Sequence, residues 1–318
     1  MTRKGWLLFT AISVFWGIPY LFIKIAVREL DPTIVVFARV GIAAVVLLPV
    51  AAQQRALQPL RGRWLAIATL SLVQTVGPFL LISYGEQHIA SSLTSLLIAA
   101  DPLLVALFAL RFDPGERVRG LRLVGLFIGM GGVIVLLGFD VSGDAQKLLG
   151  AALVLLAAAG YAASALLVKR PTIATLPRLG VVATMCTVAT VVLAPLAVTR
   201  LPNRIPNLEV IVSLVVLGLI CTALAYLTFF ALVAEVGASR GTVFTYVNPV
   251  VSVLLGVILL GESIDAFTVA GFLLIILGSW LSTGGALPPG YLLRTRLPQQ
   301  ANRDAGVTRR DTSPRQLQ

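Results

Sequence analysis

Polar positions along this chain of 318 residues are gathered between long apolar blocks. Ten apolar runs follow one another at about 6–26, 32–52, 64–84, 90–110, 121–139, 147–168, 178–199, 209–233, 238–260 and 265–284. Each is near the length at which a helix rising about 1.5 Å per residue crosses a hydrocarbon layer roughly 30 Å thick. The links between runs are short, so successive helices are antiparallel neighbours or near neighbours. The pattern predicts an all-α integral membrane protein of ten transmembrane helices. The first run begins behind Arg3 and Lys4 and is too long for the apolar part of a signal peptide, so it reads as an uncleaved span.

Composition agrees with that reading. Hydrophobic residues make up 58% of the chain and charged residues 12%, with a mean hydropathy of +0.94. A water-soluble domain carries roughly a quarter of its residues as charges. The net charge of +11 belongs to loops and to the last thirty or so residues, which argues for membrane orientation and against nucleic acid as a partner. With the amino terminus in the cytoplasm, 19 of the 25 basic residues fall inside and five outside, leaving Arg39 within a span. Both termini are therefore expected in the cytoplasm. Trp6, Trp64 and Trp280 fall at the inner boundaries, where amphipathic rings sit well, while Trp16 falls near mid-membrane. Residues 285–318, with Pro288-Pro289, many glutamines and six arginines, read as a disordered basic cytoplasmic tail.

The chain repeats itself. Asp101-Pro102 answers to Asn248-Pro249 at a shift of 147. Gly115-Glu116, Gly125 and Gly132 answer to Gly261-Glu262, Gly271 and Gly278 at 146, and Lys24 and Trp16 answer to Lys169 and Tyr161 at 145. Two five-helix repeats follow, residues 1–140 and 147–284. A unit with an odd number of spans enters the membrane from opposite sides in its two copies, so the repeats have inverted topology. Secondary transporters use that arrangement to exchange inward-open and outward-open shapes around one mid-membrane site.

The opening Phe15-Trp16-Gly17, Lys24, Pro32 and Arg39 resemble the start of an EamA-type repeat of the drug/metabolite transporter superfamily. So do Ser91 to Ser95 running into Pro102, the Gly-Glu pair, and Gly125 with Gly132. The second copy keeps the order through Ala238-Ser239, Pro249, Gly261-Glu262, Gly271 and Gly278. The resemblance covers about residues 5–284 and implies a ten-helix exporter of small metabolites, amino acids or drug-like compounds in a bacterial inner membrane. Asp101 departs from it, standing where such repeats carry a neutral residue.

Candidate chemistry is sparse. The sequence holds no GxxxxGK[ST] phosphate loop, no nucleophile elbow and no metal-ligand spacing, so an enzyme, a metal and a cofactor are not expected. Cys186 and Cys221 lie in apolar runs and read as small buried residues. His88 and Glu86 fall together at the outer end. Asp101 lies roughly 16 Å into span 4, where an acid costs about 3 kcal/mol or more and should face a cavity or a partner. Pro102 removes a backbone donor beside it. Arg39, roughly 10 Å into span 2, either pairs with Asp101, turns to Glu29 or Asp31, snorkels outward, or holds a substrate anion; the sequence leaves these open. Lys24 is shallower and reads as snorkelling. Asn248 with Tyr246, Trp16 with Tyr161, and Gln74 with Thr75 are further candidates for a substrate-facing or coupling site. Pro78, Pro102 and Pro249 are candidate helix kinks. Glu116 and Glu262 read as turn or capping residues in loops on opposite faces. The expected partners are a small-molecule substrate and the lipid bilayer, with proton or ion coupling and oligomeric state open. A nonenzymatic membrane scaffold or regulator is the alternative function.

Overall fold

A computed structural model describes residues 2–112, 120–140, 144–237 and 242–282. The predicted tail, Glu116 and the Ala238-Ser239 pair lie outside the described residues. No strand occurs among the described residues. Among the described residues eight helices are long and apolar enough to cross a membrane, and two shorter apolar helices follow them.

The long helices are α1 (Arg3–Ala26), α2 (Pro32–Gln53), α3 (Trp64–Gly85), α4, α5 (Leu121–Asp140), α6 (Ala145–Val168), α7 (Arg178–Val198) and α8 (Leu208–Val236). Several are interrupted where the sequence interrupts them. Pro19 opens the second part of α1. The helix α4 is two pieces, Ser91–Ile98 and Asp101–Phe112, parted by Ala99 and Ala100. A proline forces this, because Pro102 has no N–H for the carbonyl four residues back and its ring crowds that carbonyl. The short helix α9 (Asn248–Leu260) starts the same way, with Pro249 in its first turn and a 3-10 turn, Thr242–Tyr246, ahead of it. The predicted continuous span over 238–260 is therefore shorter as a helix. The last helix is α10 (Ala266–Ser282).

Two helices carry π-helical turns at corresponding places, Leu72–Val76 in α3 and Val216–Leu224 in α8. In α3 the Gly77 N–H reaches back five residues to the Leu72 carbonyl, immediately before Pro78. In α8 the Thr222 hydroxyl donates to the Leu217 carbonyl at 2.8 Å, taking up a carbonyl the π turn displaces. Such turns gather at functional sites.

The packing pairs like with like. The helix α2 packs on α7, α4 on α9 and α5 on α10, while α3 on α6 answers α8 on α1. The α5–α10 crossing is close along its length. A Cβ on Gly278 would lie 2.3 Å from the Gly129 nitrogen, one on Gly125 2.8 Å from the Gly278 carbonyl, and one on Gly132 2.7 Å from the Gly271 carbonyl. Only glycine admits backbones this close, and dispersion between them replaces side-chain packing. Gly125 meets Gly278 and Gly132 meets Gly271, so α5 and α10 run antiparallel and present the same patch to each other.

The outer surface is apolar. Val45 (74% exposed), Phe127 (70%) and Ile258 (71%) represent a coat of exposed Leu, Ile, Val and Phe on nearly every helix. In water that coat would be an aggregation surface; in a bilayer it meets acyl chains.

Candidate functional site

Inside the bundle the polar residues gather where helices are broken. Arg39, 7% exposed, projects from α2. Its Nε donates to the Thr222 hydroxyl at 2.9 Å, on the π turn of α8, and its guanidinium lies 3.9 Å from the centre of the Phe79 ring on α3. A planar, delocalised cation suits both contacts. Thr222 is the residue 147 positions after Thr75, so the two π turns carry matching threonines. Thr75 is buried and Gln74 half-buried in the α3 turn.

Asp101 starts the second piece of α4, and its Oδ1 is buried without a hydrogen-bond partner. Of the alternatives left open for Arg39, the pair with Asp101 is not formed. Nor does Arg39 turn to Glu29 or Asp31, which are taken by Asn207 and Arg200. Tyr20 on α1 and Tyr161 on α6 pack on one apolar cluster with Ile98, three residues ahead of Asp101, and Tyr161 also packs on the cluster that holds Phe79, the ring under Arg39. Trp16 stacks edge-on against Tyr226, with ring centres 5.6 Å apart, and packs on Phe229 and Phe244 at 5.3 and 5.1 Å. The structure brings Trp16 against Tyr226, sets Tyr161 in the packing around the Phe79 ring on which Arg39 lies, and adds Tyr20 and Tyr226, which the sequence reading did not single out. Their one signal was a tyrosine well inside an apolar run.

Asn248 is used differently. With its amide oriented to its acceptors, the nitrogen donates to the carbonyls of Phe244 (3.0 Å) and Ser13 (3.1 Å), tying the start of α9 to α1. Tyr246 is half-buried in the preceding turn. An open cleft of about 470 Å³ leads from Lys169 and Arg170, past Leu167, Phe108 and Ala163, to Val73 beside Gln74.

The two ends of the bundle differ. At the end holding the amino terminus, Lys4 pairs with Glu235 at 3.5 Å and Arg63 donates to the Thr172 carbonyl at 2.8 Å. At the opposite end more such long-range polar contacts are made, and several involve paired or capping carboxylates. Arg200 holds Asp31 at 2.7 Å and the Tyr84 hydroxyl at 3.0 Å, and Glu29 accepts from the Asn207 amide at 2.5 Å. The Glu262 carboxylate accepts from Ser91 N (2.8 Å), Ser91 Oγ (2.9 Å) and Ser92 N (2.9 Å), capping α4 from 170 residues away. Burial works against that charge, but the hydrogen bonds from Ser92 and Ser91 together outweigh it and hold the carboxyl below its ordinary range. Lys24 does not snorkel. Its ammonium donates to the carbonyls of Glu86 (2.5 Å) and Ile89 (2.7 Å), closing the end of α3.

With this geometry in view, comparison with known proteins places the chain. The profile of the EamA-like transporter family matches twice, over residues 3–138 and 148–284. The chain belongs to the EamA-like transporter family. Among relatives, it is 27% identical over 257 residues to the uncharacterized inner membrane transporter YedA of Escherichia coli K12, covering 80% of this chain and 82% of that one. An uncharacterized transporter of Archaeoglobus fulgidus is 28% identical, covering 87% and 98%. A probable amino-acid metabolite efflux pump of Salmonella typhimurium is 26% identical, covering 90% and 96%. A solved crystal structure matches in fold at a TM-score of 0.64 and 21% identity, covering 89% of this chain and 98% of that one. The protein is a multi-pass inner-membrane transporter, from a family of transporters and not of enzymes.

Proposed function

We propose that this transporter is a secondary exporter of a small zwitterionic, amino-acid-like metabolite. It works by alternating access around the centre formed by Trp16, Tyr20, Arg39, Asp101, Tyr161 and Tyr226. The observation that carries the reading is the buried, unpartnered Oδ1 of Asp101 in a bundle that also buries the Arg39 guanidinium, with no ion pair between the two. A cation and an acid held apart inside a bundle suit a ligand that carries both charges. A carboxylate would meet Arg39 and an ammonium Asp101, with the aromatic rings covering the apolar body. The printed name of the Salmonella relative, an amino-acid metabolite efflux pump, favours the same class.

The antiparallel, self-matching α5–α10 crossing and the paired π turns support ten spans in two inverted five-helix repeats. The distribution of basic residues supports cytoplasmic termini. On that orientation the end latched by Asp31–Arg200 and Glu262–Ser91 faces the periplasm. The cleft at Lys169 and Arg170 is then the cytoplasmic approach.

The test is counterflow of radiolabelled alanine, phenylalanine, glutamate and lysine in proteoliposomes. Wild type is expected to exchange at least one of them. Asp101→Asn, which keeps the shape and loses the charge, should slow that exchange by about a hundredfold, in line with the loss of one charged hydrogen bond to a ligand. Equal rates for the two proteins would remove Asp101 from the site. Absence of flux for all four compounds in wild type would favour a scaffold or regulatory role.

A further inference from the structure

A second carboxyl, just past the end of α3, is left without a partner. Glu86 is the first residue past α3, is 0% exposed, and neither of its carboxylate oxygens has a hydrogen-bond partner. Several groups face it. Lys24 and Tyr20 lie on α1, Arg39 on α2 and Glu262 in the α9–α10 connection. The helix α6 brings Gly150 and Val154 against the same turn, at Gly85, with His88 packed on Gly150. Lys24 commits two of its ammonium protons to main-chain carbonyls, including that of Glu86 itself. Glu262 is satisfied by its three donors from Ser91 and Ser92. The Glu86 side chain alone receives no donor.

An ionised carboxylate in that position would be buried with no donor, an arrangement carboxyls avoid by holding a proton. Burial pushes the Glu86 carboxyl well above its ordinary range; Lys24 opposes this, Glu262 adds to it and Arg39 opposes it. A metal cation does not fit, because the Lys24 ammonium already occupies the neighbourhood. The position also links the proton to a movement. Residues 86–90 form the α3–α4 connection, held at one side by Lys24 and at the other by the Glu262 cap on Ser91 and Ser92. Any opening of this end that shifts the connection strains the cap and exposes Glu86 to water.

We propose that Glu86 is a proton-binding site that couples protonation to the opening and closing of this end, protonated while the end is closed and deprotonated when it opens. The step is simple in chemistry: the carboxylate takes one proton from water on that side and returns one, with no other bond made or broken. The inference rests on the transport reading above, since a coupling site needs a transport cycle to drive.

Two measurements on the purified full chain test it. In lipid nanodiscs, infrared titration should show a protonated-carboxyl band persisting above the ordinary glutamate range. That component should vanish in Glu86→Gln and remain in Asp101→Asn. Should Glu86→Gln fail to fold, Glu86→Asp must keep the band and shift it. Identical spectra for wild type and Glu86→Gln overturn the proposal. In proteoliposomes, wild-type counterflow of the four amino acids should change with pH by about 5- to 150-fold, the usual span of a coupling between two binding events, and Glu86→Gln should give a flat profile. A wild-type pH profile from Glu86→Gln overturns the coupling role while leaving transport standing. Absence of wild-type flux at any pH removes the transport reading and the coupling role with it.

Discussion

Asp101 and Asn248 hold the same place in the two halves of the chain, each starting a helix one residue ahead of a proline, yet they do different work. The asparagine spends its amide on two carbonyls and fastens α9 to α1. The aspartate keeps an oxygen free in the interior. The same contrast runs through the fold. Glycines, prolines and π turns recur in both halves, and Pro49 within α2 even answers to Pro195 within α7 at the glycines' shift of 146. Lys24 and Glu116 recur as Lys169 and Glu262, but the buried Arg39, Glu86 and Asp101 do not recur as charges. Arg39 corresponds to Thr184, Met185 or Cys186, and Glu86 to Ala231, Leu232 or Val233, at shifts of 145 to 147. The backbone devices that let helices cross and bend are shared, whereas the groups that could bind a charged ligand belong to the first half. A symmetric frame can exchange shapes; an asymmetric charge set gives it one ligand site rather than two.

The largest test of that contrast is to make the halves alike. Asn248→Asp would replace a donor to two carbonyls with an acceptor facing them, inside the bundle. The expected loss is about 3 kcal/mol or more, combining unsatisfied carbonyls with an unpaired acid. It is read as a lowered Tm and poor recovery of folded protein in detergent. If Asn248→Asp melts like wild type, Asn248 is not a structural tie and the two positions are equivalent after all.

A smaller effect is expected where the halves truly match. Gly278→Ala places a methyl 2.3 Å from the Gly129 nitrogen, and Gly132→Ala one 2.7 Å from the Gly271 carbonyl. Backbone cannot yield as a side-chain end can, so each should cost about 1–3 kcal/mol. The two losses should be of similar size if the crossing is two-fold, as thermal unfolding of each variant would show. A large loss at one position and none at the other would deny the symmetry.

Much of this frame was legible in the sequence, and the reasons are physical. Apolar run length follows from bilayer thickness, and the proline breaks at 102 and 249 follow from a missing N–H. The glycine contacts follow from the absence of a Cβ. The site was read less well. Asp101 and Arg39 stood out because charges in apolar runs are costly, but their separation depends on which way α2 and α4 face, which no local pattern records. Lys24 was read as snorkelling because carbonyls freed at the end of another helix leave no mark in its own neighbourhood. Tyr20 and Tyr226 passed unnoticed among apolar residues, since a tyrosine in a span has ordinary packing uses. Glu86 was hidden by its place at a helix end, where sequence suggests exposure and the fold supplies burial.

The smallest expected effect concerns the cap that reaches between the halves. Glu262→Gln keeps one carbonyl oxygen for Ser91 but turns an NH2 group toward a Ser91 or Ser92 donor, losing a charged contact at the start of α4. Half-exposed as the residue is, the cost should be about 1 kcal/mol. The sign with pH follows from the lowered carboxyl. The wild-type advantage is present above the ordinary carboxylate range and fades as pH falls through the depressed value, because protonation removes the acceptor charge. Melting curves of wild type and Glu262→Gln should therefore converge in acid and separate toward neutral pH. A constant gap would show that Glu262 acts through shape alone, and the opposite end would then be held by Asp31 and Arg200 without help from this cap.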